Sequence, residues 1–256
     1  MSFLEKIVTA RRKVVDELDD AADVWDDAAR HQPPPRDFRG ALTASGMSLI
    51  AEIKRRSPSK GDLNPGLDPS ALAATYERSG ARAVSVLTEP DFFSGSAEDL
   101  DAARRAVRAP VLWKDFVLDP VQIDHARAFG ADAILLIVRM TPAELPLLVA
   151  EARSWGMCPL VEIFDEDDLE LALAAGADVV GVNHRDLETF EEDPGATARL
   201  RKLVPDDVVL VAESAIRTRD DVRALEDIGV EAMLVGEAIV TSPDPEAKIR
   251  ELLGTS

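Results

Sequence analysis

Glu52 and Lys54 stand two residues apart, and Lys114, Glu162, Asn183 and Glu213 follow at wide intervals, each closing a short apolar run. If these runs are strands, alternation puts Glu52 and Lys54 on one inward face while Ile53 packs outward. Acids and amines converging in a low-dielectric pocket shift one another's pKa, which is what general acid and base work requires. The bland readings are a buried Glu52–Lys54 ion pair filling a core layer and a rim lysine at Lys114. Core layers normally take Val, Ile or Leu, and desolvated charge is expensive, so the coincidence of Glu52, Lys54, Lys114 and Glu162 at strand ends argues for chemistry. Three histidines and one cysteine, Cys158, are scattered without metal-ligand spacing, so no metal is expected.

Positioning such residues takes a scaffold that brings strand ends together. Apolar runs recur at Leu49–Ile53, Ala83–Leu87, Pro110–Leu112, Ala133–Val138, Pro159–Ile163, Val179–Val182, Val208–Ala212 and Ala232–Val235. Between them lie helix signals: Asp68-Pro69 to Gly80, Ser96 to Asp99, Asp119-Pro120 to Gly130, Thr141-Pro142 to Gly156, and Thr218 to Gly229. Two further helices are expected over 165–176 and 195–203. The phrases Ser79-Gly-Ala-Arg-Ala-Val, Phe129-Gly-Ala-Asp-Ala-Ile, Ala175-Gly-Ala-Asp-Val-Val and Ile228-Gly-Val-Glu-Ala-Met each lead a helix into a strand. Eight strands alternating with helices predict an α/β fold, a (β/α)8 TIM barrel of one domain over residues 1–256. The competing doubly wound open sheet would want a topological switch, and no G-x-G-x-x-G follows the first strand.

Residues 1–45 precede the first strand, with a helical stretch from Phe3 to Ala29 and a stop at Pro33-Pro34-Pro35. Their apolar residues are too few for a separate core, so this N-terminal extension is expected to cover one barrel face. In this fold the ends of strands seven and eight frequently cradle phosphate on main-chain N–H groups, where Ser214-Ala215 and Gly236-Glu237 stand, and Lys54 and Ser57 would add a charge and a hydroxyl. Gly236 read alone is equally a tight turn. Ala215 keeps its N–H available if its φ stays negative. Arg55, Arg56 and Lys60 are expected to be mostly loop solvation, and His184 a rim or supporting residue.

The chain carries 48 acids and 29 bases, a formal net charge of −19, with 46% apolar residues. Such a surface repels nucleic acid and anionic lipid, so neither is an expected partner. A lone cysteine, no basic-then-apolar leader and no membrane-length apolar run point to a cytoplasmic protein. Self-repulsion at this charge suggests a salt-rich, halophilic cell interior.

Six ordered blocks carry a resemblance over nearly the whole chain: Ile50-Ala-Glu-Ile-Lys-Arg-Arg-Ser-Pro-Ser-Lys-Gly61, Ser85-Val-Leu-Thr-Glu-Pro-Asp-Phe-Phe93, Trp113-Lys-Asp-Phe116, Leu160-Val-Glu-Ile163, Gly181-Val-Asn-His-Arg-Asp-Leu187 and Glu213-Ser214. Together they resemble the indole-3-glycerol phosphate synthase family, whose N-terminal helical extension lies over the barrel mouth. The resemblance implies a phosphorylated small-molecule substrate, 1-(2-carboxyphenylamino)-1-deoxyribulose 5-phosphate, closed to indole-3-glycerol phosphate with loss of CO2 and water, without cofactor or metal. It implies Lys114 as general acid, Glu162 and Lys54 in later proton transfers, and Glu52, Asn183 and Glu213 orienting and stabilising the cationic intermediate. Arg185 would support that network. Lys54, Ser57, Ser214, Ala215, Gly236 and Glu237 would surround the phosphate. Pro58, Phe93, Phe116, Leu135, Ile137 and Leu187 would form the apolar wall.

Two other functions compete. A sugar-phosphate isomerase barrel would place a Cys or Asp base at the end of strand one, where this chain has Glu-x-Lys. A catalytically inactive barrel kept as a binding module would be expected to have lost Lys114 or Glu162. The chain is expected to work as a monomer or weak homo-oligomer.

Overall fold

A computed structural model describes residues 2–255. Eight parallel strands, β1 (Ser48–Ile53), β2 (Ala83–Leu87), β3 (Val111–Lys114), β4 (Ala133–Ile137), β5 (Cys158–Ile163), β6 (Val179–Asn183), β7 (Val209–Glu213) and β8 (Ala232–Val235), close in sequence order into a barrel, with β8 pairing back onto β1. Alternation divides the side chains into two cores. Leu49, Ala51, Ile53, Val84, Val86 and Val161 face the surrounding helices. Ile50, Ala83, Leu112, Ala133, Leu160, Val179, Val209 and Ala232 fill the barrel itself.

The helix signals act as expected at most junctions. Asp68, Ser96, Asp119 and Thr218 each accept a first-turn N–H, which satisfies donors that a helix start leaves without a partner. Gly80, Gly130, Gly176 and Gly229 adopt φ of +108°, +88°, +84° and +77°, the left-handed geometry that ends each helix and turns the chain into the next strand. Thr141 is the exception: the chain runs through a short 3-10 turn at Val138–Met140, and the helix begins only at Leu145. β3 extends two residues beyond the expected stretch, so that Lys114 is its last residue.

The N-terminal extension departs from the expectation of a cover on one face. It forms α1 (Phe3–Asp19), α2 (Ala22–Arg30) and α3 (Phe38–Leu42), and it reaches both ends of the barrel. α1 starts at the carboxyl ends of the strands, where Glu188 accepts from the N–H groups of Phe3 and Leu4. α2 packs beside the helix Pro120–Ala128, with Trp25 edge-on to His125. α3 closes the amino end: Phe38 and Leu42 are buried against the barrel interior, and Ser48 donates to the Leu42 carbonyl. A triple proline stiffens the passage between the two ends, since proline fixes φ and disfavours helix.

Candidate active site

The carboxyl ends of the strands surround one open cavity of about 1130 Å³. Every candidate residue borders it: Glu52, Lys54, Lys114, Glu162, Asn183 and Glu213 at its floor, Ser57, Arg185, Ser214, Ala215, Gly236 and Glu237 at one side, and Pro58, Phe93, Phe116, Leu135, Ile137 and Leu187 as apolar wall. Burial of the carboxylates is nearly complete, with Glu52 at 2%, Glu162 at 2% and Glu213 at 1% exposure.

Lys114 is the hub of the floor. Its Nζ lies 2.5 Å from Glu213 Oε2 and 3.7 Å from Glu52 Oε2, while Lys54 Nζ takes the other Glu52 oxygen at 2.7 Å. Burial opposes the charge on Lys114, but Glu213, Glu52 and Glu162 outweigh it and hold its pKa above the ordinary lysine value. Burial likewise opposes an ionised Glu52, and Lys54 and Lys114 overcome it, leaving its pKa below the usual carboxylate range. Glu162 goes the other way. Desolvation, reinforced by the charge of Glu213, pushes it up to about 8 against the pull of Lys114 and a hydrogen bond from Asn183. One oxygen of Glu162 and one of Glu213 are buried without a hydrogen-bond partner. Glu52 and Glu162, both buried at the cavity floor, are thus shifted in opposite directions, an arrangement that can divide acid from base.

At the ends of β6 and β7, Asn183 Oδ1 accepts from Ser214 Oγ at 2.8 Å and from the Arg185 N–H at 3.0 Å. Ser214 and Ala215 both adopt left-handed backbone, at φ +66° and +56°. The condition of a negative φ at Ala215 is therefore not met: the turn after β7 demands the geometry glycine adopts freely, and a non-glycine residue there costs about 1–2 kcal/mol. Successive turned N–H groups of this kind form concavities that suit anions. Arg185 and Arg217 share Glu192, at 2.6 and 2.7 Å.

The first loop is also less solvated than its charges suggest. Arg55 is an ion-pair partner of the buried Asp99, and Lys60 pairs with Glu237 across the mouth. Arg56-Ser57 and Gly61-Asp62 form a small antiparallel hairpin that carries Ser57 and Pro58 over the cavity. Arg56 stays half-exposed, near Asp62. His184 is buried beneath the mouth, its Nε2 2.6 Å from Thr197 Oγ1, and burial lowers its pKa.

Other residues at the site were not picked out by type and spacing. Phe3 of α1 borders the cavity and packs edge-on to Phe92 and Phe190, at 5.3 and 5.1 Å between ring centres. Arg11, also on α1, is buried and reaches Asp115 at 2.8 Å, next in sequence to Lys114. Burial lifts Asp115 to about 6 in spite of that arginine. The polar dipeptide Lys114-Asp115 at a strand end is the signal that a second buried charge needs a partner.

Residues 4–252 match the family described as indole-3-glycerol phosphate synthase. The chain belongs to the indole-3-glycerol phosphate synthase family. These enzymes are carboxy-lyases, and curated relatives carry that name at high similarity. Indole-3-glycerol phosphate synthase 2 of Streptomyces coelicolor is 52% identical over 223 residues, 87% of this chain and 86% of that one. The indole-3-glycerol phosphate synthase of Mycobacteroides abscessus is 46% identical over 247 residues, covering 96% and 89% of the two chains. Among solved structures, 3-hexulose-6-phosphate synthase from Salmonella typhimurium aligns with TM-score 0.67 and 15% identity over 81% of this chain and 97% of that one, a likeness of fold alone. No helix among the described residues is long and apolar enough to cross a membrane.

Proposed function

We propose that this chain performs the family's ring closure on 1-(2-carboxyphenylamino)-1-deoxyribulose 5-phosphate, with Lys114 as general acid. The ammonium of Lys114 set against the buried carboxylates of Glu213 and Glu52, with the charge of Glu162 also acting on it, is the observation that carries the reading. As the ring carbon bearing the carboxylate attacks the substrate carbonyl carbon, the carbonyl oxygen takes the Lys114 proton and becomes a hydroxyl. A developing alkoxide is a stronger base than an amine, so the high pKa of Lys114 keeps the proton in place until the transition state needs it.

The positive charge left on the ring and its nitrogen is met by the carboxylates of Glu52 and Glu213, fixed dipoles and charges that need no reorganisation. The bond to CO2 then breaks and its electron pair restores the aromatic ring. In dehydration the new hydroxyl takes a proton and leaves as water while a base removes the proton from the neighbouring carbon. Glu162, poised near neutrality, supplies the first proton and as a carboxylate accepts the second; Lys54 assists from the Glu52 side. The phosphate is held by Lys54, Ser57, Arg185 and the main chain at Ser214, Ala215, Gly236 and Glu237. Phe93, Phe116, Leu135, Ile137, Leu187 and Pro58 take the aromatic ring.

The net charge of −19 supports a salt-adapted enzyme that takes neither nucleic acid nor an anionic membrane as partner; we place it in the cytoplasm as a monomer or weak homo-oligomer. The test is ultraviolet detection of indole formation from the substrate by the wild type and by Lys114→Met. Loss of a positioned general acid should lower kcat by about 10² to 10⁴ with unchanged circular dichroism. A variant keeping more than about a third of wild-type kcat would remove Lys114 from that role.

A further inference from the structure

Gly181 lies in the middle of β6, in register with Glu162 of β5 on one side and Val211 of β7 on the other. Its backbone is ordinary strand, so no left-handed turn calls for glycine there. Glycine in a strand interior weakens it and often marks close approach of another group. The approaching group is the Glu213 carboxylate. A Cβ built on Gly181 would fall 2.2 Å from Glu213 Oε1 and 3.3 Å from the buried Leu160 Cδ1. Glu213 therefore fills the volume that a side chain at 181 would take, with its other oxygen 2.5 Å from Lys114 Nζ. Retreat from a methyl group at 181 would have to break or re-aim that ion pair. The same arrangement recurs on β8, where a Cβ at Gly236 would come 2.4 Å from Glu52 Oε1, the second carboxylate facing Lys114.

We propose that Gly181 is a positioning residue for the reaction: the side chain missing from β6 is the seat of the Glu213 carboxylate, and through it fixes Lys114. This rests on the roles given above to Lys114 and Glu213. Gly181→Ala should lower kcat by about 10²-fold, the scale of a misplacement of about 1 Å, with KM within about threefold. Because Asp is one methylene shorter, Gly181→Ala combined with Glu213→Asp should recover at least about tenfold of that kcat. A purely structural defect, such as a clash with Leu160, would not respond to position 213.

A kcat for Gly181→Ala within twofold of wild type, or a double variant no more active than Gly181→Ala, would overturn the proposal. Should Gly181→Ala fail to fold, recovery of the circular dichroism and the melt in the double variant supports the seat, and failure of both variants to fold contradicts it. The melts also separate this inference from the reading it rests on. Coupling of positions 181 and 213 in Tm is required here whatever Lys114 proves to do, whereas an active Lys114→Met would count against the catalytic assignment alone.

Discussion

At the amino end of the barrel the inward residues are Ile50, Ala83, Leu112, Ala133, Val179, Val209 and Ala232, sealed by Phe38 and Leu42 from α3. At the carboxyl ends of the barrel strands stand Glu52, Lys114, Glu162 and Glu213. The two ends also treat buried charge differently. Asp132, fully buried just before β4, accepts from the N–H groups of Arg36 and Val111 and from the Arg104 guanidinium. At the other end Glu162 and Glu213 each keep an oxygen without a partner, and Ser214-Ala215 hold a strained backbone. One end is built for cohesion, and the other keeps buried charge and strained backbone.

The largest effects should split along that line. Lys114→Met should remove most turnover and leave the fold standing. Phe38→Ala should do the reverse: truncating a fully buried aromatic costs about 3–5 kcal/mol of stability, measured by urea titration, while kcat of the folded enzyme stays within about twofold. A Phe38→Ala enzyme that is fully stable but slow would erase the distinction between the ends.

Next in size comes the strained turn. Ala215→Gly should stabilise the protein by about 1 kcal/mol, because glycine relieves the left-handed penalty, with KM unchanged or lower. The entropy glycine adds to the unfolded chain opposes part of this gain. A destabilised Ala215→Gly would mean that the turn is held by contacts of the Ala215 methyl instead.

The smallest effect belongs to neither end. At 0.1 M salt the Debye length is about 10 Å and surface acids repel, whereas at 1 M it is about 3 Å. Tm should rise from low salt to molar KCl, and already below about 1 M if screening and not ion exclusion is the cause. Exposed ion pairs, each contributing about 0–1 kcal/mol, are too weak to reverse the trend. A flat or falling Tm would withdraw the inference of salt adaptation and leave the chemistry untouched.

The barrel, and the gathering of the candidate residues at one cavity, were legible in the sequence because both follow local rules. Strand period, caps and the Gly that ends each helix lie within a few residues of one another, and a barrel gathers the last polar residue of each strand at one end. Glu52, Lys54, Lys114, Glu162 and Glu213 were found in that way. What escaped depends on contacts between distant segments. Phe3 and Arg11 reach the site only because the extension crosses the mouth, and α3 seals the far end with Phe38, which no pattern near 38 announces. The positive φ of Ala215 escaped because alanine gives no local signal for it. Gly181 escaped because its use is the space it leaves for a residue 32 positions away, a distance visible only in the folded chain.

Charge in the barrel mouth is held for chemistry at the expense of stability, and Glu162→Gln tests both halves of that claim in one protein. Glu162 titrates near 4.5 when unfolded and about 8 when folded. The folded state therefore binds more protons than the unfolded state between those values, so the wild type loses stability as pH rises from about 5 to 8. The amide that replaces the carboxyl group cannot ionise, and the variant is spared that loss. Measured at pH 5 and pH 8, the variant should show kcat lowered about 10²-fold or more with KM within about tenfold. Its stability should exceed wild type by about 1–3 kcal/mol at pH 8, with a smaller margin at pH 5. A Glu162→Gln enzyme that keeps its kcat, or whose stability falls further below wild type as pH rises, would contradict the claim.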